Sequence, residues 1–84
     1  MTSGDTMTKI EILGTGCAKC KRLFANAEQV VKDLKIAAEV VKVEDLDEIV
    51  NRGVMLTPAL FINGELVAEG RVPCVDEIKT MLTG

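Results

Sequence analysis

The sequence predicts one α/β domain whose elements follow the order βαβαββα. Three observations lead to this prediction: short apolar runs rich in β-branched residues, a long segment with helical spacing between the first two runs, and an Asn63-Gly64 pair joining the last two. The chain has 84 residues, enough for a single compact core. We therefore expect a four-stranded mixed sheet flanked by three helices.

The N-terminal segment, residues 1–7, is polar and shows no apolar periodicity. We predict that it is a disordered extension and that residues 8–84 form the domain. In that domain, Thr8–Leu13 alternates as a strand does, with Ile10 and Ile12 on one face and Glu11 and Leu13 on the other.

The longest periodic segment runs from Ala18 to about Ile36 and predicts a helix. Its apolar residues form one stripe, consisting of Leu23, Phe24, Ala27, Val30, Val31 and Leu34. The next apolar run, Ala38–Val43, predicts a second strand. A strand, helix and strand of these lengths imply a parallel pair with a right-handed crossover.

A short second helix is predicted after this strand. Asp45, with Glu48 three residues later, has the spacing of a helix start, and Gly53 suits the C-terminal cap. Its expected apolar side is formed by Leu46, Ile49 and Val50.

The C-terminal part predicts a hairpin and a last helix. The apolar run Ala59–Ile62 is typical of a buried strand, and Asn63-Gly64 is a strong hairpin signal before Leu66–Ala68. The final helix is predicted from residues at helical spacing, which are Val75, Ile78, Met81 and Leu82.

Composition excludes several classes of function. The net charge of −3 and the presence of only two aromatic residues argue against nucleic-acid binding. The absence of histidine removes the usual general base and the commonest zinc ligand. No apolar run is long enough to span a membrane, and three cysteines without a signal-like N-terminus predict a cytoplasmic protein.

Two cysteines lie where the first strand gives way to the first helix. Cys17 and Cys20 are about one turn apart, close enough to form a disulfide. The helix N-terminus and the positive charge of Lys19, with its neighbours Lys21 and Arg22, favour a thiolate on Cys17. We therefore predict that Cys17 attacks and Cys20 resolves. Lys19, Lys21 and Arg22 are also consistent with a solvated helix face, and for Lys21 or Arg22 taken singly that interpretation is favoured.

Three segments together resemble a known family: Gly14–Cys20, Leu56–Ala59, and Asn63–Glu65 followed by Gly70. They resemble the thioredoxin fold without its first strand and helix, and most of all the small thioredoxin-like, glutaredoxin-sized family called redox-active disulfide protein 2. The resemblance covers about Thr8 to Gly84.

This resemblance implies a thiol-disulfide oxidoreductase whose only redox group is the Cys17–Cys20 disulfide, with no bound cofactor or metal. It implies that Pro58 is a cis-proline beside the disulfide and that Thr57 pairs its backbone with a substrate. The implied substrates are disulfide-containing proteins or small thiols. The implied partner is a thiol or flavoprotein reductant, and we expect a monomer.

Two further residues carry alternative interpretations. Glu11 lies six residues before Cys17, where thioredoxins have a buried acid that helps to move the resolving cysteine's proton; otherwise it is a strand charge paired with Lys9 or Lys42. Cys74, near the start of the last helix, is a candidate third redox thiol or a packing or capping residue.

A rival interpretation is a soft-metal module. The Gly14–Cys20 loop also resembles the Cys-x-x-Cys loop of small copper-chaperone and heavy-metal domains, which hold ions such as Cu(I) between two thiolates. Those domains have the order βαββαβ, whereas this chain predicts a short helix after the second strand and a helix at its end. A redox-inert relative that binds a partner through the same groove is a third alternative.

Overall fold

The computed structural model describes residues 8–16 and 18–83. Its strands are β1 (Thr8–Leu13), β2 (Ala38–Val43), β3 (Ala59–Ile62) and β4 (Glu65–Glu69), and its helices are α1 (Ala18–Leu34), α2 (Leu46–Asn51) and α3 (Val75–Thr83). This order confirms the predicted βαβαββα arrangement. The extension predicted for residues 1–7 lies outside the described residues.

The four strands form one mixed sheet in the order β2-β1-β3-β4. Strand β1 is parallel to β2 and antiparallel to β3, and β4 is antiparallel to β3. Asn63 and Gly64 have φ values of 53° and 84°, as a two-residue hairpin turn requires. Leu13 pairs with Val43 on one side and Ala59 on the other, so the ends of β1 and β2 and the start of β3 meet at one edge.

Each face of the sheet carries its own part of the core. Ile10 and Ile12 on β1 face α1 and α3, whereas Leu13 faces α2, as the alternation predicted. The buried residues of the first face are Ile10, Ile12, Leu23, Ala27, Val30, Leu60, Ala68 and Ile78. Those of the second face are Leu13, Ile49, Val54, Ala59 and Phe61. The sheet therefore separates a larger core under α1 and α3 from a smaller one under α2.

The orientation of α2 corrects one prediction. Only Ile49 is buried, whereas Leu46 and Val50 are 62% and 69% exposed, so the expectation that all three face the core was wrong. The inner side is formed instead by Ile49 and Arg52, because the Arg52 side chain reaches Glu11 on β1. A helix of six residues packs against the sheet along one narrow side, and the ion pair between Arg52 and Glu11 takes up part of that side.

The ends of the helices follow from local chemistry. Asp45 caps α2 by accepting a hydrogen bond of 2.9 Å from the Asp47 N–H, and Gly53 follows the helix with φ of 79°, as predicted. Helix α1 ends at Leu34, two residues before the predicted end, because Lys35 has a φ of 53°. In the part of the chain described here, no helix is long and apolar enough to cross a membrane.

Candidate active site at the end of the first strand

Cys20 lies in the first turn of α1 and is buried, with 6% of its surface exposed. Its side chain packs against Gly14, just after β1, so closely that a Cβ at position 14 would collide with the Cys20 Sγ. Gly14 is held there by its N–H, which donates to the Val43 carbonyl at 3.0 Å. Glycine at position 14 therefore makes room for the sulfur. Cys17 lies outside the described residues, and its predicted role stays a prediction.

Pro58 also lies close to Gly14. The Thr57–Pro58 peptide bond is cis, as the resemblance implied, and Pro58 is buried. Its Cα is 3.8 Å from the position that a Gly14 Cβ would take. The Pro58 carbonyl accepts a hydrogen bond of 2.9 Å from the Gly70 N–H. Gly14 is therefore close to both Cys20 and Pro58, and a backbone hydrogen bond joins Pro58 to Gly70.

The loop before the proline has a fixed backbone and exposed apolar side chains. The N–H groups of Met55 and Leu56 both donate to the Glu69 Oε2, at 2.7 and 3.1 Å. The side chains of Met55 and Leu56 are nevertheless 86% and 61% exposed, and Thr57 is exposed beside them. No local sequence pattern indicated Glu69, because its hydrogen bonds join residues 13 and 14 positions apart.

A small cavity of about 30 Å³ lies beside Cys20 on the α1 side of the sheet. It is lined by Ile12, Gly14, Gly16, Cys20, Lys21, Lys42 and Glu44. The Glu44 Oε2 is 3.5 Å from the position that a Gly16 Cβ would take, and the Lys42 ammonium lies 4.8 Å from the centre of the Phe24 ring. No local sequence pattern placed Lys42 or Glu44 near Cys20. The parallel pairing of β1 with β2, which brings the ends of the two strands together, is the feature that could have indicated the positions of Lys42 and Glu44.

Glu11 is buried on the opposite face of the sheet. Its two carboxylate oxygens accept hydrogen bonds of 2.8 Å from the Nη1 and Nη2 of Arg52, whose guanidinium also lies 5.3 Å from the centre of the Phe61 ring. The hydrogen bonds from Arg52 lower the pKa of Glu11, against the opposing effect of burial. Glu48 accepts a further hydrogen bond of 2.8 Å from the Arg52 Nε.

The lysine partners predicted for Glu11 need correction. Lys9 is a peripheral partner, with its Nζ 3.9 Å from the Glu11 Oε2. The predicted pairing of Lys42 with Glu11 was wrong, because Lys42 lies over Phe24 on the other face of the sheet. The parallel register places Lys42 opposite Ile12, whereas Glu11 is opposite Val41. No local sequence pattern indicated that Arg52 pairs with Glu11, because the two residues are 41 positions apart.

Cys74 is exposed, directly before α3. Its carbonyl accepts a hydrogen bond of 3.0 Å from the Ile78 N–H, and its own N–H donates to the Glu77 carboxylate, as in a helix cap. The neighbouring Pro73 carbonyl accepts a hydrogen bond of 3.0 Å from the Asn26 side chain, well along α1 from Cys20. Cys74 does not line the cavity beside Cys20.

The cations near the start of α1 are exposed. Lys21 lines the cavity, whereas Lys19 and Arg22 do not. Within residues 8–16 and 18–83, no three side chains of the metal-ligating types come together to hold a metal ion. The soft-metal alternative has no support, since the observed order of elements differs from βαββαβ.

The comparisons with known proteins agree with this geometry. Residues 8–83 match the family model described as a thioredoxin domain. The chain belongs to the thioredoxin family. A thioredoxin from Methanothermobacter thermautotrophicus is 46% identical over 77 residues, covering 92% of this chain and 100% of the relative. A thioredoxin from Methanocaldococcus jannaschii is 43% identical over 76 residues, covering 90% and 87% of the two chains.

Solved thioredoxin structures share the fold. The crystal structure of chloroplastic thioredoxin z superposes with a TM-score of 0.72 and 21% identity, covering 95% of this chain and 79% of that one. The germline-specific thioredoxin Deadhead of Drosophila melanogaster gives 0.61 and 15%, covering 95% and 82%. The family membership makes this protein a thiol-disulfide oxidoreductase, and thioredoxins act on disulfide-containing proteins with a redox-active disulfide and no other cofactor.

Proposed function

We propose that Cys17 and Cys20 are the redox pair of this thioredoxin. The observation that carries the proposal is the position of Cys20, whose sulfur is packed against Gly14 beside the cis-proline Pro58. A resolving thiol must be close to the attacking one yet shielded from solvent until it is needed. Burial of Cys20 in the first turn of α1, three residues after Cys17 in the sequence, supports this division of roles.

The reaction proceeds in two exchanges. The Cys17 thiolate attacks one sulfur of a substrate disulfide, which forms a mixed disulfide and releases the other sulfur as a thiolate that takes a proton from water. Cys20 then loses its proton and attacks the Cys17 sulfur, which releases the second substrate thiol. The substrate is reduced by two electrons, and the protein is left with a Cys17–Cys20 disulfide. Lys19 supports the Cys17 thiolate electrostatically.

The Thr57-Pro58 loop is the proposed substrate-binding segment. Its support is the exposure of Thr57 next to the buried proline, together with the exposed side chains of Met55 and Leu56. Glu69 fixes the backbone of this loop through two N–H groups. An extended segment of a substrate protein can therefore lie along a preformed surface, at little cost in ordering the loop.

Two candidate residues receive structural roles in this proposal. The paired hydrogen bonds from Arg52 favour Glu11 as a charge that fixes α2 on the sheet, over the alternative of proton transfer. The hydrogen bonds at Cys74 favour a helix cap over a third redox thiol.

Several finer assignments belong to the same proposal. The protein acts as a monomer in the cytoplasm, where the cellular reductant that restores its dithiol is a thiol or a flavoprotein. Small thiols are substrates beside disulfide-containing proteins. Within the thioredoxins, the Cys-Ala-Lys-Cys motif that follows Gly14-Thr15-Gly16 supports a place in the redox-active disulfide protein 2 family.

Trapping of the mixed disulfide tests the redox pair. In a Cys74→Ser background, Cys20→Ser is expected to accumulate a stable mixed disulfide with a protein disulfide such as insulin, whereas Cys17→Ser is expected to form none. Non-reducing electrophoresis and mass spectrometry identify the adduct. Equal turnover by Cys17→Ser and the Cys74→Ser parent would refute the proposed pair.

A further inference from the structure

The resolving step requires a proton acceptor for a buried thiol. Cys20 is 6% exposed, and a thiol attacks a disulfide only as the thiolate. If the proposed function holds, the Cys20 thiol must lose its proton as it attacks the mixed disulfide on Cys17. Since the thiol is shielded, the acceptor has to be a neighbouring group or water that connects to one.

Glu11 is poorly placed for this role. Its carboxylate lies on the α2 face, with both oxygens engaged by Arg52 at 2.8 Å. Lowering of its pKa by those hydrogen bonds further reduces its ability to hold a proton. The cavity beside Cys20 lies on the other face of the sheet and contains Ile12, not Glu11, from β1.

Glu44 has the properties that Glu11 lacks. It directly follows β2 and lines the same cavity as Cys20, with its Oε2 close to Gly16. Among the residues that the structure describes, the ion pairs found engage other carboxylates and leave that of Glu44 without one. Glu44 is also exposed, so a proton that it receives can pass to bulk water.

The cavity can connect the two groups. Its volume of about 30 Å³ exceeds the roughly 10–15 Å³ that one water molecule requires. The other charged groups on its walls are Lys21 from α1 and Lys42 from β2, and β1 and the segment after it contribute Ile12, Gly14 and Gly16, which do not titrate. The Lys42 ammonium lies over the Phe24 ring, and Glu44 is the carboxylate that lines the cavity together with Cys20.

We propose that the Glu44 carboxylate takes the proton of the Cys20 thiol, through water in this cavity, as Cys20 attacks the mixed disulfide on Cys17. The Cys20–Cys17 bond forms, the bond from Cys17 to the substrate sulfur breaks, and the released substrate thiolate takes a proton from Glu44 or from water. This assigns Glu44 a proton-transfer role in the second exchange only, and it rests on the proposed redox pair.

Stopped-flow reaction of the reduced protein with 5,5′-dithiobis(2-nitrobenzoate) separates the two exchanges. In a Cys74→Ser background, attack by Cys17 releases the first thionitrobenzoate at a rate that depends on reagent concentration. Attack by Cys20 releases the second at a rate that does not. We expect Glu44→Gln to slow the second phase about tenfold or more near pH 7, and to leave the first phase unchanged.

The pH profile distinguishes proton transfer from a structural effect. We expect the Glu44→Gln and parent rates to converge at alkaline pH, where hydroxide removes the proton, and Glu44→Asp to restore part of the rate at pH 7. Glu39→Gln, an exposed change of equal charge on β2, and Glu11→Gln are expected to match the parent.

The outcomes separate this proposal from the proposed function. Cys20→Ser is expected to show no second release; if it releases both equivalents as the parent does, the redox pair itself is refuted. If Cys20→Ser behaves as expected but Glu44→Gln matches the parent or is faster at pH 7, the role of Glu44 is refuted. A faster rate is the result that simple removal of a negative charge beside a thiolate would give.

Discussion

Gly14 is the residue on which the position of the Cys20 sulfur depends most directly. A Cβ there would occupy the space of the Sγ and would also meet the Pro58 backbone. The requirement is steric, because Gly14 is not among the glycines with positive φ. The absence of a Cβ at position 14 thus leaves the space that the Cys20 sulfur occupies at the start of α1.

Gly14→Ala is expected to displace the Cys20 side chain and to lower the free energy of unfolding by about 1–3 kcal/mol, as overpacking of a tight site does. The rate of disulfide exchange should fall with it. Gly53→Ala is the matched control: it introduces a Cβ at a φ of 79° with nothing within 4 Å, and should cost about 1–2 kcal/mol without changing exchange. Urea unfolding measures the stability of the two variants, and insulin reduction measures their rates of disulfide exchange. Unaltered exchange in Gly14→Ala would contradict the steric role.

The ion pair between Glu11 and Arg52 is a second contact whose role can be tested by changing one residue. The pKa of Glu11 is lowered in the folded protein, so the carboxylate contributes stability above the ordinary pKa of 4.5, and this contribution is lost as the pH falls toward the lowered value. Replacement by glutamine keeps the shape of the side chain and removes the charge.

Glu11→Gln is expected to lower the free energy of unfolding by about 2 kcal/mol at pH 7, the usual scale for hydrogen bonds to a charged group. The difference between wild type and variant should shrink as the pH falls from about 4.5 toward the lowered pKa of Glu11, because below that pKa the folded protein carries a protonated Glu11 that is uncharged, as glutamine is. Thermal unfolding from pH 7 to pH 3 measures it. A difference that stays constant with pH would show that the ion pair does not stabilise the fold.

At the scale of elements, α2 shows how one contact rotates a short helix. The sequence pattern of α2 predicts a buried stripe containing Val50, yet the structure buries Ile49 and turns Arg52 inward. The helix has six residues, too few for apolar spacing to fix its orientation alone. The long-range ion pair between Arg52 and Glu11 also determines which side of α2 faces the sheet.

Ile49→Ala is expected to cost about 2–4 kcal/mol, because it empties a site in the core between α2 and the sheet. Val50→Ala, one residue along the same helix, should change stability by less than about 0.5 kcal/mol, since that side chain is 69% exposed. Urea unfolding of the two variants tests the orientation. Equal losses would mean that the helix packs with the predicted stripe.

At the scale of the molecule, the parts of the fold that local patterns specify were predictable. The limits of β2 and β3, the Asn63-Gly64 turn and the order of all elements follow from periodicity and turn chemistry within a few residues. The resemblance implied the cis form of Thr57-Pro58, which no local pattern specifies.

The parts that were not predictable depend on register between distant segments. Arg52 meets Glu11 across 41 residues, and Glu69 accepts hydrogen bonds from a loop 13 and 14 residues earlier in the chain. Glu44 approaches Gly16 only because β2 lies parallel to β1 and ends beside it. The sequence could therefore point to Cys20 and Pro58, which the structure brings close to Gly14, but not to the charged groups around them.

The proposed redox pair is tested most directly by equilibration in thiol buffers of graded potential. The Cys17–Cys20 disulfide is quantified by alkylation and mass spectrometry, with Cys74→Ser measured in parallel. We predict one reversible two-electron transition between about −270 and −200 mV, the range spanned by thioredoxins and glutaredoxins, and the same midpoint in the Cys74→Ser variant. A chain that forms no Cys17–Cys20 disulfide at any potential in the series would contradict the proposed pair.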